Sequence, residues 1–495
     1  MTKKVFGREC FSAFFALFLS VAILLFASEC SPLYPFNDWY DANCFLTVGR
    51  KILPGGGMPY RDIYEQKGPY VYFLHALCAA IDGDSFFGVW LAEIAACFLF
   101  LLSVCKTLRL YGIEDVGRTA AITALTGLSV YFSFAFSTGD SVEEFCLPLL
   151  SWPMYFSLKR IRTDGEFRFY DHLFIGVAAG LVFWSKFTVV GFFVAWYLFF
   201  LFHVVRNRRW KEIGVSVGFI LSGVVIATLP CLIYFSANGA VRDWLRVYLY
   251  DNLFLYRESG NLFVRLGKTL LYILGTLGAN VQYNFFVLLG VVGFARKRGK
   301  ERAEEKAFLL IVPAVTALFL YIGGRGYRYY GLPLAIFAVC GYAFLAERGV
   351  GIRGRAKRAL VPAAALASCL LFMGINGNFT YLFREKEDTA QYRFAEVINE
   401  KENSTLLNYG FLDGGFYLAA GKVPDFKYFC ALNIPLPEMR QETEGYIREG
   451  AADFIVVKVW MKNPREPDLD KYREVMRAEE RYREQKVTYI LYEKI

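Results

Sequence analysis

Long apolar stretches alternate with short polar segments over most of the chain. Apolar runs of about 17–25 residues recur, and a helix of this length matches the hydrocarbon core of a bilayer. The alternation therefore predicts an all-α polytopic membrane protein. About eleven spans are expected, near residues 10–29, 87–105, 118–136, 142–158, 172–184, 187–204, 213–235, 267–295, 307–323, 328–346 and 359–375.

Three apolar segments need separate interpretation. Residues 267–295 form a long run that is expected to be broken near Gln282 to Asn284. Residues 69–81 number only about a dozen, which suits an interfacial or re-entrant helix better than a crossing. The first run could imitate a secretory signal, but it is long for one, and we expect it to be retained as a span.

Basic residues fall at alternate ends of the predicted spans. One side collects the amino terminus, the 106–118 loop and the clusters at 159–162, 206–209, 296–300 and 353–358. The positive-inside rule makes that side cytoplasmic. The other side carries the 30–86 loop, the later loops and everything after residue 376. A bacterial cytoplasmic (inner) membrane fits this pattern, with the amino terminus inside.

Composition agrees with a membrane class and excludes others. The chain is 56% hydrophobic and 18% aromatic, with a mean hydropathy of +0.34. Its net charge of +9 arises from basic residues at span ends, so nucleic acid is not an expected partner. Most of the eleven cysteines lie in apolar spans, and the three histidines are scattered. No metal site or other cofactor is predicted, although dependence on a divalent metal stays open.

The composition changes near residue 384, where charges become frequent. Strand-like runs lie at 404–409, 453–459 and 487–492, and helix-like runs lie at 389–400, 437–450 and 469–484. This alternation predicts a small extracytoplasmic α/β domain. The chain is thus divided into a membrane domain, 1–383, which contains a functional loop at 30–86, and a carboxy-terminal domain, 384–495.

The polar loop after the first span is the expected location of the chemistry. Asp41 precedes a segment, up to Arg50, that predicts an amphipathic helix on the membrane surface. Asp41 could act there as a general base on a hydroxyl group, or it could simply cap the helix. Asp38 is the competing candidate base, with a stronger case as a capping or turn residue.

A second part of the same loop concentrates charges and a tyrosine. Tyr60, Asp62, Glu65 and Lys67 lie within eight positions. Lys67 precedes Gly-Pro, which keeps its backbone out of a helix, so that its ammonium could face a phosphate. The alternative is a salt-bridged surface loop.

Further candidates lie at the outer ends of later spans. Asp140 and Glu143 begin one span, and Lys186 lies in the turn between two short ones. Asp140 could cap its helix, and Lys186 could anchor an anion or extend to the interface. Arg325 and Arg328 lie among tyrosines before a Leu-Pro span. Arginines outside the cytoplasm run against the positive-inside rule. Their planar guanidinium groups can donate paired hydrogen bonds to phosphate oxygens.

These motifs resemble those of GT-C glycosyltransferases, in particular the family that groups protein O-mannosyltransferases with aminoarabinose transferases of lipid A. The motifs that carry the resemblance are Asp41…Gly49-Arg50, Gly57-Met-Pro-Tyr60-Arg-Asp62, Lys67-Gly-Pro69, Asp140 and Tyr327-Arg328-Tyr-Tyr330-Gly-Leu-Pro333. They cover roughly residues 10–350. The chain departs from the family at Ala42, Phe45 and Arg328, where many members have an acid, a tyrosine and a histidine.

The resemblance implies an inverting transferase that uses a polyprenyl-phosphate sugar as donor. Asp41 would deprotonate the acceptor, which could be a glycan, a lipid or a protein. Lys67, Arg325 and Arg328 would stabilise the departing lipid phosphate. Asp140 would position Lys67 or the acceptor, and Asp38, Tyr60, Asp62, Glu65, Glu143 and Lys186 would support the site or bind the acceptor.

A transporter or flippase of lipid-linked saccharides is the alternative from another class. Such proteins often show repeat symmetry and place charges at the bilayer midplane. This chain has no internal repeat, and its acids lie near the outer ends of the predicted spans. Transfer is therefore favoured over transport, with membrane lipids as surroundings in either case.

Overall fold

A computed structural model describes most of the chain. The residues that it does not describe are 1–2, 54, 164–165, 257–260, 297–302, 348–366, 368–369, 371–377, 383, 460–468 and 483–484. The predicted span at 359–375 and the basic cluster at 353–358 lie almost wholly outside the described residues.

The described part is mainly helical. Its α-helices are α1 Lys3–Ala27, α2 Tyr40–Ile52, α3 Pro69–Ile81, α4 Phe87–Leu110, α5 Val116–Tyr131, α6 Val142–Arg162, α7 Phe169–Phe183, α8 Gly191–Asn207, α9 Lys211–Ala237, α10 Val241–Leu245, α11 Leu262–Ala279, α12 Val281–Ala295, α13 Ala303–Tyr321, α14 Ala338–Glu347, α15 Asn378–Leu382, α16 Ala390–Asn399, α17 Phe416–Ala419 and α18 Pro437–Glu449. Short 3₁₀ segments Phe187–Val190 and Arg328–Phe337 lead into α8 and α14, Lys386–Asp388 is a third, and a π-helical segment, Arg246–Leu255, follows α10.

The chain forms two compact units. The first comprises residues 1–27, 93–231 and 258–375, and the second comprises 28–92, 232–257 and 376–495. Each unit is compact and has its own internal contacts.

The first unit contains most of the apolar helices. Five described helices in the whole chain are long and apolar enough to cross a membrane, or six if a bent pair counts as one span. The other helices of this unit coincide with further predicted spans. An integral membrane protein is therefore supported, while the number of eleven stays a prediction.

The predicted break in the 267–295 segment is confirmed. Helices α11 and α12 meet at Asn280 with a bend of 108°. The Asn280 side chain accepts a 2.8 Å hydrogen bond from the backbone N–H of Ala135 and donates to the carbonyl of Thr276. A buried amide thus satisfies backbone groups at the break, as a polar side chain must do in an apolar interior.

Helices α2 and α3 pack closely together in the second unit. A Cβ atom on Gly49 of α2 would lie 2.5 Å from the backbone of His75 in α3, so only glycine allows this approach. Helix α2 confirms the helix predicted after Asp41, and α3 confirms the short helix predicted at 69–81. Their depth relative to a membrane stays a prediction.

A four-stranded mixed sheet forms the core of the carboxy-terminal segment. The strands are β1 Leu406–Tyr409, β2 Phe454–Val459, β3 Tyr472–Tyr482 and β4 Gln485–Lys494. Their order is β1-β2-β4-β3, with β1 and β2 parallel and the other pairs antiparallel. The predicted small α/β arrangement is confirmed.

The helix predicted at 469–484 is wrong, because most of it is strand β3. Its residues, Tyr-Arg-Glu-Val-Met-Arg-Ala-Glu-Glu-Arg-Tyr, include many good helix formers. Pairing with β4 along the strand overrides that local preference. The position of β3 at the sheet edge also explains its charges, which protect an exposed edge against further pairing.

Candidate active site

Asp41 and Lys67 face each other in the second unit. Lys67 Nζ lies 3.6 Å from Asp41 Oδ2 and 3.6 Å from Glu65 Oε1. The lysine side chain is 18% exposed and that of Asp41 16%, so both remain accessible while shielded. The Lys67 ammonium also lies 5.0 Å from the centre of the Phe45 ring, one turn along α2 from Asp41. The structure therefore brings together the two residues that the motif resemblance predicts as base and phosphate ligand.

Asp41 does not cap its helix. The N-cap of α2 is Trp39, which makes no side-chain capping bond, and Asp41 is the second helical residue. Of the two interpretations of Asp41, the capping one is therefore wrong. Asp38 precedes the cap, is buried, and its backbone N–H donates a 3.2 Å hydrogen bond to Glu29 Oε2.

The backbone around Lys67 is fixed by buried polar groups. Glu65 Oε2 accepts hydrogen bonds from the N–H of Lys67, at 2.9 Å, and from the hydroxyl of Tyr72. The Tyr60 hydroxyl donates to the Lys67 carbonyl at 2.7 Å. Glu65 thus both orients the loop and contributes a negative charge beside the ammonium.

Charge and burial act in opposite directions on Lys67. Burial lowers the pKa of Lys67, but the carboxylates of Asp41 and Glu65 outweigh it and raise that pKa above its usual value. The lysine is therefore a stable cation over the physiological pH range. A fixed, partly desolvated cation of this kind suits an anionic group such as a phosphate.

Tyr60 adopts a backbone conformation that is unusual for a tyrosine. Its φ of +70° lies in the left-handed region, and its N–H donates to the Ile63 carbonyl at 2.8 Å. Asp62 stabilises the same turn, accepting 2.8 Å bonds from the Met58 N–H and from Arg61. Such strain persists only where the surroundings fix the residue, and it is frequent at functional sites.

A second cluster lies in the first unit, around the start of α6. Asp140 has φ +60°, and its N–H donates to Glu93 Oε1 at 2.8 Å and to Glu144 Oε2 at 3.1 Å. All three acids are buried. Ser141, not Asp140, caps α6 through a 3.2 Å bond from the Glu144 N–H. The expectation that Asp140 caps the helix is therefore wrong.

Glu143 and Lys186 form a buried ion pair in the same unit. Lys186 Nζ lies 2.5 Å from Glu143 Oε1, and both side chains are buried. The ammonium also lies 4.5 and 4.4 Å from the ring centres of Tyr329 and Tyr330. These tyrosines follow Arg328 in the aromatic-basic motif, so the structure joins that motif to the turn at Lys186.

The two predicted external arginines contact aromatic residues of the first unit. Arg328 lies over the Phe134 ring at 4.6 Å, and Arg325 donates a 3.2 Å hydrogen bond to the Tyr327 hydroxyl. Stacking of this kind holds a guanidinium group by one face and leaves its edges able to donate hydrogen bonds.

Sequence reasoning missed several buried polar residues. Glu93 lies within the apolar helix α4, and Lys458 lies within the apolar strand β2, Phe-Ile-Val-Val-Lys-Val. A charged residue in an apolar run is costly unless paired, which is a signal that could have identified both. Asp413, in a Gly-rich turn, gave no such signal. Among the described residues, no group of three or more His, Cys, Asp or Glu side chains could hold a metal ion.

Comparison with known proteins supports the resemblance seen in the motifs. Residues 66–234 match the model of a family described as dolichyl-phosphate-mannose-protein mannosyltransferase. No curated protein matches the chain by sequence.

Solved structures show the fold. The structure of ArnT from Cupriavidus metallidurans bound to undecaprenyl phosphate aligns with a TM-score of 0.60 and 13% identity, covering 96% of this chain and 97% of that chain. The apo state of the same protein aligns with a TM-score of 0.59 and 12% identity over the same shares. The predicted likeness to GT-C proteins of the O-mannosyltransferase and ArnT type is thereby confirmed.

Proposed function

We propose that this chain, which has the fold of ArnT and in part the sequence pattern of protein mannosyltransferases, is an inverting membrane glycosyltransferase. Its donor is a polyprenyl-phosphate-linked sugar, and its acceptor is an extracytoplasmic glycan, lipid or protein. The family match over 66–234 and the fold support the reaction class. The ligand named for the ArnT crystal, undecaprenyl phosphate, supports the lipid class of the donor.

The contact between Asp41 and Lys67 is the single observation that carries the proposal. Transfer from a phosphate requires a group that takes a proton from the acceptor and a cation that receives the leaving phosphate. A carboxylate and an ammonium 3.6 Å apart, both partly accessible, supply these two functions side by side. Glu65 also lies 3.6 Å from the ammonium and helps to hold it in place.

The reaction follows from these roles. Asp41 takes the proton of an acceptor hydroxyl. The oxygen of that hydroxyl attacks the anomeric carbon of the donor sugar at the same time. The bond from that carbon to the phosphate oxygen breaks, and the polyprenyl phosphate leaves with the electron pair. Attack from the face opposite to the leaving group inverts the anomeric centre. Lys67 stabilises the charge that develops on the phosphate.

Arg325 and Arg328 are proposed as further ligands of the phosphate. Arg328 lies over the Phe134 ring, and Arg325 donates to the Tyr327 hydroxyl. Each contact restrains a guanidinium group, a group that suits bidentate bonds to phosphate oxygens. Asp140, Glu143 and Lys186 are proposed as supporting or acceptor-binding groups. Burial of the Glu143–Lys186 pair favours support over direct contact with an acceptor.

The membrane location that we propose is the bacterial cytoplasmic membrane. The amino terminus lies in the cytoplasm, and the segment after residue 376 lies outside, where the acceptor is found. The distribution of basic residues supports this orientation.

The first prediction is that Asp41→Asn abolishes transfer and leaves donor binding intact. Asparagine keeps the shape of the side chain but cannot take a proton, and loss of a general base lowers turnover by about 10²–10⁴-fold. Release of polyprenyl phosphate is measured with purified protein in nanodiscs, using a panel of polyprenyl-phosphate sugars and an envelope extract as acceptor source. Donor binding is measured separately by the change in tryptophan fluorescence.

Asp84→Asn is the matched control, because Asp84 is an exposed carboxylate just after α3 that lies outside the proposed site, and its backbone N–H donates to Asp82. Its turnover should equal that of the wild type. Turnover by Asp41→Asn at the wild-type rate would show that Asp41 is not the general base. Movement of labelled donor across vesicles without release of polyprenyl phosphate would favour the transporter instead.

A further inference from the structure

Helix α2 presents two different faces within the second unit. Asp41 and Phe45, four residues apart, face Lys67. Tyr40, Cys44, Thr47 and Arg50 repeat at helical spacing on another face, and every one of them contacts the carboxy-terminal segment. The helix that carries the proposed base is therefore bonded on a separate face to a part of the chain more than 360 residues away.

The contact at the start of α2 is a buried network of three residues. Lys458 Nζ donates a 2.6 Å hydrogen bond to the Tyr40 hydroxyl, which also bonds the Tyr489 hydroxyl at 2.5 Å. Lys458 and Tyr489 are paired residues of the neighbouring strands β2 and β4. The Lys458 ammonium also lies 4.5 Å from the centre of the Tyr40 ring.

The contacts at the other end of α2 are equally specific. The Thr47 hydroxyl donates a 2.6 Å bond to Asp413 Oδ2, and Arg50 donates to the carbonyls of Tyr417 and Lys422 at 3.3 and 3.0 Å. The sulfur atoms of Cys44 and Cys430 lie 3.9 Å apart between these points. The helix is thus held over its full length of about 20 Å.

Stability alone does not explain a lysine in the middle of β2. Removing an ammonium from water costs several kcal/mol, and a well-packed apolar residue in its place is often neutral or stabilising. Burial lowers the pKa of Lys458 to about 7, although the nearby Asp38 carboxylate raises it in part. What the lysine supplies is a directed bond to Tyr40, the residue immediately before Asp41.

We propose that the carboxy-terminal α/β segment positions the proposed base, with Lys458 and Tyr489 fixing the first turn of α2 through the Tyr40 hydroxyl. Lys458 is a positioning residue, since it acts through Tyr40 and does not reach the reacting atoms. This role rests on the proposed function, because it assigns Asp41 as the group that must be held. It gives the carboxy-terminal segment a direct part in transfer.

The size of the effect follows from the demands of proton transfer. A base must lie within hydrogen-bonding distance of the hydroxyl that it deprotonates, and displacement by about 1 Å can cost 10²-fold in rate. In the proposed mechanism donor affinity depends on Lys67, which lies outside α2, in the segment just before α3. Loss of the network should therefore lower kcat and leave the KM for the donor unchanged.

The second prediction tests this with Lys458→Met. The substitution is expected to lower kcat by roughly 10- to 100-fold, with an unchanged donor KM. Hydrogen exchange measured by mass spectrometry should rise in peptides covering 40–52 and stay the same in β1. Lys486→Met is the matched control, because Lys486 is an exposed lysine of the same sheet, and its ion-pair partner Glu479 is exposed as well. It should change neither quantity.

Two more variants separate positioning from general loss of structure. Tyr489→Phe removes a single hydroxyl group from the network and should give a smaller change in the same direction. Tyr40→Phe combined with Lys458→Met should be no worse than Tyr40→Phe alone, because Tyr40→Phe already removes the bond to Lys458.

The two proposals fail in distinguishable ways. The positioning role would be overturned if amide hydrogen exchange in residues 40–52 were as slow in both Lys458→Met and Tyr489→Phe as it is in the wild type. An additive effect of Tyr40→Phe and Lys458→Met on kcat would overturn it as well. Increased exchange in 40–52, together with no turnover by the wild type on any donor, would support positioning of α2 and reject the transferase.

Discussion

At the scale of single residues, two lysines contact the first turn of α2. Lys67 lies beside Asp41, and Lys458 donates a hydrogen bond to the Tyr40 hydroxyl. The dense polar loop after the first span identified Asp41 and Lys67, and the structure places them 3.6 Å apart. The sequence pattern could not identify Lys458 as a neighbour of Tyr40, since 418 residues separate the two. Local patterns carry no information on contacts that only the tertiary fold creates.

The buried pair of Glu143 and Lys186 makes the third prediction possible. Lys186→Met leaves the Glu143 carboxylate buried without its ammonium, and breaking a buried pair in this way costs about 3–5 kcal/mol. A clearly lower melting temperature is therefore expected for purified protein. The double variant Lys186→Met with Glu143→Gln should recover most of the loss, because it removes the unpaired charge.

An exposed ion pair provides the comparison for this experiment. Lys486→Met breaks the pair between Lys486 and Glu479, both more than half exposed, and should cost about 1 kcal/mol or less. Equal melting temperatures for Lys186→Met and Lys486→Met would contradict a structural role for the buried pair.

At the scale of elements, periodicity and breaker residues predicted most of the helices. The break between α11 and α12, the short helix α3 and the helix after Asp41 were all predicted, since each depends on local features. Strand β3 was not, because its charged helix formers pair with β4 only once the sheet exists. Local propensity thus decided the predicted elements, and tertiary pairing decided the exception.

The bond between α2 and Asp413 leads to the fourth prediction, on pH dependence. Burial raises the pKa of Asp413 to about 6, while bonds from Thr47 and the Gly415 N–H oppose that shift. The folded state therefore holds this proton more tightly than the unfolded state. Its stabilising contribution is complete below about pH 4 and is lost as the pH rises through about 6.

Asp413→Asn should remove this dependence. The stability of the wild type relative to Asp413→Asn is expected to fall by an amount on the order of 3 kcal/mol between pH 4 and pH 7. Melting temperatures of both proteins across that range measure the difference, with the exposed Asp84→Asn as a control that should run parallel to the wild type. A constant difference between Asp413→Asn and the wild type would show that Asp413 is not the titrating group.

At the scale of the whole molecule, segments predicted to share the cytoplasmic side contact one another in the first unit. Glu9 near the start of α1 pairs with Lys106 and Arg109 at the end of α4. Arg162 at the end of α6 pairs with Glu305, in the first turn of α13, at 2.8 Å. Charge placement along the sequence thus predicted which ends of the helices meet, because insertion into a membrane imposes a rule on the entire chain.

Orientation is the subject of the fifth prediction. Alkaline phosphatase, which is active only outside the cytoplasm, is fused in a bacterial host after Ile495 or after Arg162. The first fusion should be active and the second inactive, because residues 159–162 carry the basic cluster that the positive-inside rule keeps in the cytoplasm. Green fluorescent protein at the same two positions is the reciprocal control. The reverse activities would invert the proposed topology and place the Asp41 loop in the cytoplasm.

The bond between Tyr40 and Tyr489 also sets an order of events during synthesis. The two tyrosines are 449 residues apart, so at ribosomal speed the helix with the proposed base emerges about 20–90 s before the strand that anchors it. A nascent or prematurely terminated chain therefore carries Asp41 without its anchor. If Asp41 is the base that we propose, a chain that lacks strand β4 should hold it less firmly and transfer sugar more slowly than the full chain.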